Sequence, residues 1–170
     1  SHVLAKPKFE TPDSIEPVPW YPYTETDAVR AKYIEAKRVG EQLIKDSKVA
    51  AFTVAGGQGS RLGWDAPKGT FPATPIRKLP LFACFAEYIH NIQHRFDVKI
   101  PWYVMTSPLN HNDTVAFFKK QSYFGLKEDN LMFFSQAMFP ALDMDTGKVL
   151  LADKHAIALS PNGHGGSLKA

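Results

Sequence analysis

The chain has 170 residues, of which 44% are hydrophobic and 22% charged, a length and balance that suit one folded domain and exclude wholesale disorder. Twenty Lys and Arg against 17 Asp and Glu give a net charge of +3, too mild, without basic runs, to argue for nucleic acid. No apolar run reaches the roughly 18 residues of a transmembrane helix, and the single cysteine, Cys84, excludes an internal disulfide framework and fits a reducing cytoplasm.

Ser1–Glu10 lacks the apolar core of a signal peptide, and a start at Ser1-His2 without Met reads as a cloning remnant or an internal start. Five of the 13 prolines fall between Pro7 and Pro22, beside Trp20, Tyr21 and Tyr23. That composition predicts an extended arm whose aromatics pack along a surface. Thr26 or Asp27 then caps a helix to about Asp46, with Val29, Tyr33, Ala36, Val39 and Leu43 on a 3.6-residue period. Val49–Ala55 is a short apolar run ending in Gly56-Gly57, which reads as a strand buried on both faces.

Pro80 opens a second helix, from Leu81 to about Phe96, in which Phe82, Phe85 and Ile89 are expected in the core. Pro101–Thr106 is a second strand, and Asn110 or Asn112 caps a third helix to about Gln121. One amphipathic helix is expected to account for Phe117, Phe118, Tyr123 and Phe124 with Lys119 and Lys120. Leu131–Phe134 is a third strand, Asp145–Lys148 a turn, and Val149–Ala152 a short strand. The alternation predicts an α/β domain with a mainly parallel sheet. His90 and His94, four apart, lack the zincin order and read as surface or packing residues, and Cys84 as a buried thiol.

Eight of the 11 glycines sit in two clusters. The first is Gly56-Gly57-Gln58-Gly59-Ser60-Arg61-Leu62-Gly63, followed by Pro67-Lys68-Gly69. A glycine loop after a buried strand offers backbone N–H groups to a phosphate, with Arg61 as a forked cation and Lys68 as a point charge. The spacing fits neither common template. Trp64 stands where a Walker loop needs Lys, and Leu62 where a dinucleotide fingerprint needs its third Gly. The second cluster is Ser160-Pro161-Asn162-Gly163-His164-Gly165-Gly166-Ser167. Asn162 and Gly163 suit a base edge, and His164 a phosphate or hydroxyl; a capped helix start is the plainer alternative.

Together these residues resemble the signature of the UDP-sugar pyrophosphorylases, most like the UDP-N-acetylglucosamine pyrophosphorylase branch. Met105-Thr106-Ser107, Phe133–Gln136, Phe139-Pro140-Ala141 and Gly147–Leu151 agree in order. The resemblance covers about Val49 to Ala170, and more loosely the arm and first helix. It implies a Rossmann-like nucleotidyltransferase core, apparently truncated, with residues 1–47 as N-terminal arm and helix. Residues 48–170 would be the N-terminal half of the catalytic domain.

The implied reaction is UTP plus a sugar 1-phosphate to UDP-sugar plus pyrophosphate, with Mg²⁺. By resemblance, Gly56 and Gly57 meet the uridine part, while Gly59, Ser60 and Arg61 cradle the β- and γ-phosphates. Lys68 bridges the α-phosphate and leaving group, so Arg61 and Lys68 are the implied catalytic pair. Gln136 reads the uracil edge with Asn162 and Gly163, and His164 lies near the α-phosphate or sugar phosphate. The metal carboxylate is expected beyond residue 170. Asp143, Asp145 and Asp153 do not match its motif and read as a solvated turn. N-acetylglucosamine 1-phosphate is the expected sugar, with glucose 1-phosphate as the alternative. A nucleotide-binding module without chemistry and a Rossmann oxidoreductase are the competing classes. Oligomeric state is left open.

Overall fold

The computed structural model describes residues 14–20, 22 and 26–168. Helix α1 spans Asp27–Lys45 and starts where Thr26 Oγ1 accepts the Val29 N–H. Strands β1 (Ala51–Val54), β2 (Trp102–Thr106) and β3 (Leu131–Ser135) form one parallel sheet in the order β1-β2-β3. Helix α2 (Leu81–Phe96) connects β1 to β2, and α3 (His111–Lys120) connects β2 to β3. Helix α2 begins at once after Pro80, whose missing N–H costs a helix start nothing, and ends at Asp97 in the left-handed region. The expected α/β alternation is present.

The register decides which side chains meet. Ala51, Trp102 and Leu131 are aligned, as are Thr53, Val104 and Phe133, so period-2 alternation puts these six on one face. That face carries the core. Phe82, Ala86 and Ile89 of α2 and Phe118 of α3 pack on Trp102 and Val104. Phe118 is the hub, with ring centroids 4.8 Å from Phe82, 4.9 Å from Phe133, 5.1 Å from Phe124 and 5.3 Å from Trp102. The Trp102 indole N–H donates to Thr53 Oγ1 at 2.9 Å, so its burial leaves no donor unpaired.

Several expectations fail here. β1 is not buried on both faces: Phe52 is 49% exposed and stacks on Phe134 across the face opposite the core. Phe85 is 37% exposed rather than core, because the stripe that meets the sheet is Phe82-Ala86-Ile89. Helix α1 forms as predicted, yet none of its residues is buried. Its contacts include Ile44 against the core and an ion pair from Glu41 to Arg95 at 3.0 Å. Trp20 is exposed rather than packed, while Tyr21 and Tyr23 lie outside the described residues. Cys84 is half-buried.

The aromatic run after α3 is not one helix. Ser122, Tyr123 and Phe124 adopt φ of 48°, 52° and 56°. This left-handed turn, unfavourable by roughly 1–2 kcal/mol per residue, brings the Phe124 ring onto Phe118 and its carbonyl 3.0 Å from His90 Nε2. His90 therefore packs and hydrogen-bonds, as expected of it.

Beyond β3 the pairing becomes antiparallel, which the expectation of a mainly parallel sheet did not include. β4 (Met138–Pro140) and a later strand, Leu159–Pro161, form one ribbon; β5 (Leu151–Asp153) and β6 (Ala156–Ile157) form another. We number Leu159–Pro161 as β7. The turn before β5 is anchored by Asp143, whose carboxylate accepts the Thr146 N–H and hydroxyl and is thereby held below its usual pKa. Truncating the hub, Phe118→Ala, is expected to lower the unfolding free energy by about 3–5 kcal/mol, measured by urea denaturation. A loss below about 1 kcal/mol would contradict its central place in the core.

Candidate functional site

Parallel strands bring their C-terminal ends to one edge, where the loops after β1, β2 and β3 gather. The ladder runs on past each strand: Ala55 N donates to Met105 O at 2.6 Å, and Gln136 N to Thr106 O at 2.9 Å. Gln136 is thus carried to the start of the glycine loop and is buried there. Gly56 is what admits it, since a Cβ at that position would lie 2.2 Å from Gln136 Nε2.

The loop from Gly57 to Lys68 closes on itself. Lys68 N donates to Gly57 O at 3.1 Å, Gly59 N to Ala66 O at 3.0 Å, and Trp64 N to Gly59 O at 3.2 Å. The Trp64 indole N–H donates to Thr70 Oγ1, whose hydroxyl donates to Pro67 O, both at 2.8 Å. Gly69 seats this segment on the core, because a Cβ there would lie 2.1 Å from the Phe82 ring. Lys68 is therefore held between loop and core with its side chain exposed.

From the second cluster, Asn162 N donates to Ala137 O at 3.2 Å, which extends the β4–β7 ribbon and sets Gly163 beside Gln136. Gly163 has φ of 77°, and a Cβ on Gly166 would lie 1.9 Å from Asn162 Oδ1. That oxygen is buried and has no hydrogen-bond partner among the described residues.

One cavity of about 920 Å³ has Gly56, Gly57, Lys68, Gln136 and Gly163 in its wall. Its remaining wall is largely apolar and follows β1 and α2 through Val54, Phe85, Tyr88 and Ile92. Five of the ten expected site residues are thus brought together. Gly59, Ser60, Arg61 and Asn162 are not in the cavity wall, and the His164 side chain lies outside the described structure. Gly59 is buried behind Trp64, and its N–H is already bonded to Ala66, so it offers no free donor to a phosphate. Ser60 and Arg61 are exposed on the short turn Ser60–Leu62, Asn162 is half-buried, and His164 opens the turn His164–Leu168. Among the described residues no group of three or more His, Cys, Asp or Glu lies together as a metal cage, and the described cavity wall contains no Asp or Glu to offer Mg²⁺ a carboxylate.

Two supporting residues escaped the sequence reading. Thr70 braces the Lys68 segment. Asn110 stands at the N-cap position of α3, as read, but its side chain makes no capping bond: its Oδ1 accepts Ser107 N and Oγ, and its Nδ2 donates to Ala55 O and Gly57 O. The polar pair Thr106-Ser107 at the end of a buried strand was the available signal.

Residues 6–170 match the family described as UTP–glucose-1-phosphate uridylyltransferase. The chain belongs to this family. It is 35% identical over 170 residues to the UDP-N-acetylglucosamine pyrophosphorylase of Saccharomyces cerevisiae, covering 98% of this chain and 36% of that one. It is 37% identical over 140 residues to a UDP-N-acetylhexosamine pyrophosphorylase-like protein of Xenopus tropicalis, covering 79% and 27%. The crystal structure of the uridine diphosphate N-acetylglucosamine pyrophosphorylase from Trypanosoma brucei, in complex with an inhibitor, superposes with a TM-score of 0.76 at 31% identity, over 86% of this chain and 30% of that one. The family resemblance read from the glycine clusters is thereby supported, and the sheet is part of a nucleotidyltransferase core. The chain spans about a third of the length of these relatives.

Gly56→Ala is expected to turn the Gln136 amide out of the cavity, seen as a shift of its side-chain NH₂ resonances. Unchanged resonances would show that Gln136 does not depend on the missing Cβ.

Proposed function

We propose that this chain is the nucleotide-binding part of an enzyme that transfers uridylate from UTP to N-acetylglucosamine 1-phosphate, giving UDP-N-acetylglucosamine and pyrophosphate. The observation that carries the reading is the cavity that joins two glycine backbones, a lysine and a buried glutamine at the C-terminal edge of a parallel sheet, in a chain of this family. An amide suits uracil, which presents both a donor and acceptors. Gln136 would read that edge with Asn162 and Gly163 beside it; Gly56 and Gly57 let the nucleotide approach the main chain. Ser60 and Arg61, exposed on the loop, would meet the outer phosphates, and His164 the α-phosphate or sugar phosphate. Gly59 shapes this loop instead of donating to a phosphate.

In the transfer, a phosphate oxygen of the sugar phosphate attacks the α-phosphorus as the bond to the β-phosphate oxygen breaks, and pyrophosphate leaves in line. The attacking oxygen is already anionic, so the step needs no general base. Two polyanions must meet, and Lys68 at the α-phosphate and Arg61 at the leaving group would offset their repulsion. Mg²⁺, held by a carboxylate outside these 170 residues, would add screening when bound. A second reading rests on the family's description, which names glucose 1-phosphate; the acceptor sugar separates the two. The single unpaired cysteine fits a cytoplasmic enzyme, and no helix among the described residues is long and apolar enough to cross a membrane.

Titration of the chain with UTP, UDP-N-acetylglucosamine and NADH is expected to show binding of the uridine nucleotides and none of NADH. The chain alone is expected to be inactive. Tight NADH binding without uridine binding would overturn the proposal. In the full-length enzyme, Lys68→Ala is expected to cut turnover by at least ~100-fold; near-normal turnover would remove Lys68 from the reaction, and a sugar-phosphate panel on the same enzyme identifies the acceptor.

A further inference from the structure

We propose that Asn110 is a positioning residue for the nucleotide loop, setting the Ala55–Gly56 and Gly57–Gln58 peptide planes and, through Gly57, the Lys68 segment. The inference rests on the nucleotide-binding reading for its functional consequence, but its geometry stands apart from it. Asn110 is 1% exposed and uses its whole hydrogen-bonding capacity. Its Oδ1 accepts Ser107 N at 2.9 Å and Ser107 Oγ at 3.1 Å, which locks the side chain to the end of β2. Its Nδ2 crosses to the glycine loop and donates to Ala55 O at 2.9 Å and Gly57 O at 3.3 Å.

A trans peptide points its C=O and the following N–H in opposite directions. Holding the Ala55 and Gly57 carbonyls toward Asn110 therefore turns the N–H groups of Gly56 and Gln58 away from α3. Gly57 O also accepts Lys68 N at 3.1 Å. One carbonyl thus takes a bond from Asn110 and a bond from the backbone of the lysine, so the side chain acts on Lys68 through a single shared acceptor. A helix cap would explain none of this, because no bond from the Asn110 side chain goes to the first turn of α3.

The deciding substitution is Asn110→Asp. It is isosteric and keeps an acceptor for Ser107, but sets a carboxylate oxygen against two carbonyls. Asn130→Asp is the matched control. Asn130 is also buried and donates its Nδ2 to Gln93 Oε1 and Ile100 O, at the opposite end of β2. Asn110→Asp is expected to weaken UTP binding to the chain by at least ~10-fold in calorimetry, the scale of losing a buried hydrogen bond, and to speed hydrogen exchange at the Lys68 amide. Asn130→Asp is expected to leave both within about threefold, whatever its cost to global stability. Equal losses in the two variants, or unchanged UTP binding in Asn110→Asp, would overturn the inference. If Asn110→Asp does not fold, Asn110→Ser, which retains one donor, is expected to give a smaller change in both readouts, and no change in either would overturn it. If the unsubstituted chain fails to bind UTP, the proposed function falls, and Lys68 exchange alone decides the positioning role.

Discussion

Strand β2 is hydrogen-bonded in parallel on both sides, and the molecule is organised around that pairing. Parallel pairing requires crossovers, which α2 and α3 supply, and it sends the ends of all three strands to the same edge. A glycine loop, a buried asparagine and a buried glutamine from three distant parts of the chain meet there because of this geometry. The ladder bonds that continue beyond the strands, at Ala55 and Gln136, carry the order of the sheet directly into the site.

The distribution of burial follows from the same arrangement. Helices α2 and α3 both pack on the Trp102 face, where Phe118 links four aromatic rings. On the other face Phe52 and Met132 are exposed. The apolar wall of the cavity lies along β1, an edge strand whose far side has no partner strand among the described residues. The same cavity carries Gly56, Gly57, Lys68, Gln136 and Gly163 in its wall, so a ligand there would meet an apolar surface along β1 and α2 and these polar and glycine positions at the sheet edge.

Within the site, the glycines divide by function of space. Gly56 makes room for Gln136, Gly59 for Trp64 and Gly69 for Phe82. Their common property is the missing Cβ, which lets loop, core and glutamine approach within distances that any side chain would prevent. Lys68 is positioned as a result: its backbone is tied to Gly57, its neighbour Gly69 lies on the core, and Thr70 is braced by Trp64.

Local features of the sequence determined the helices and strands, because their causes are local. Pro80 fixes the start of α2, Thr26 caps α1, and short apolar runs mark β1, β2 and β3. The family was legible for a related reason: the glycine clusters keep their composition and order along the chain, whatever the fold does with them. Tertiary structure alone decided that α1 would have no buried residue and that α2 and α3 would both pack on the same face of the sheet. It also decided that the Gly59 amide would bond to Ala66, and that Asn110 would reach back to Ala55 and Gly57. Apolar periodicity says that a face can be buried, not what buries it. An amide side chain bonds to whichever carbonyl the fold brings within 3 Å or so, and the partner's place in the sequence leaves no mark on the residues around it.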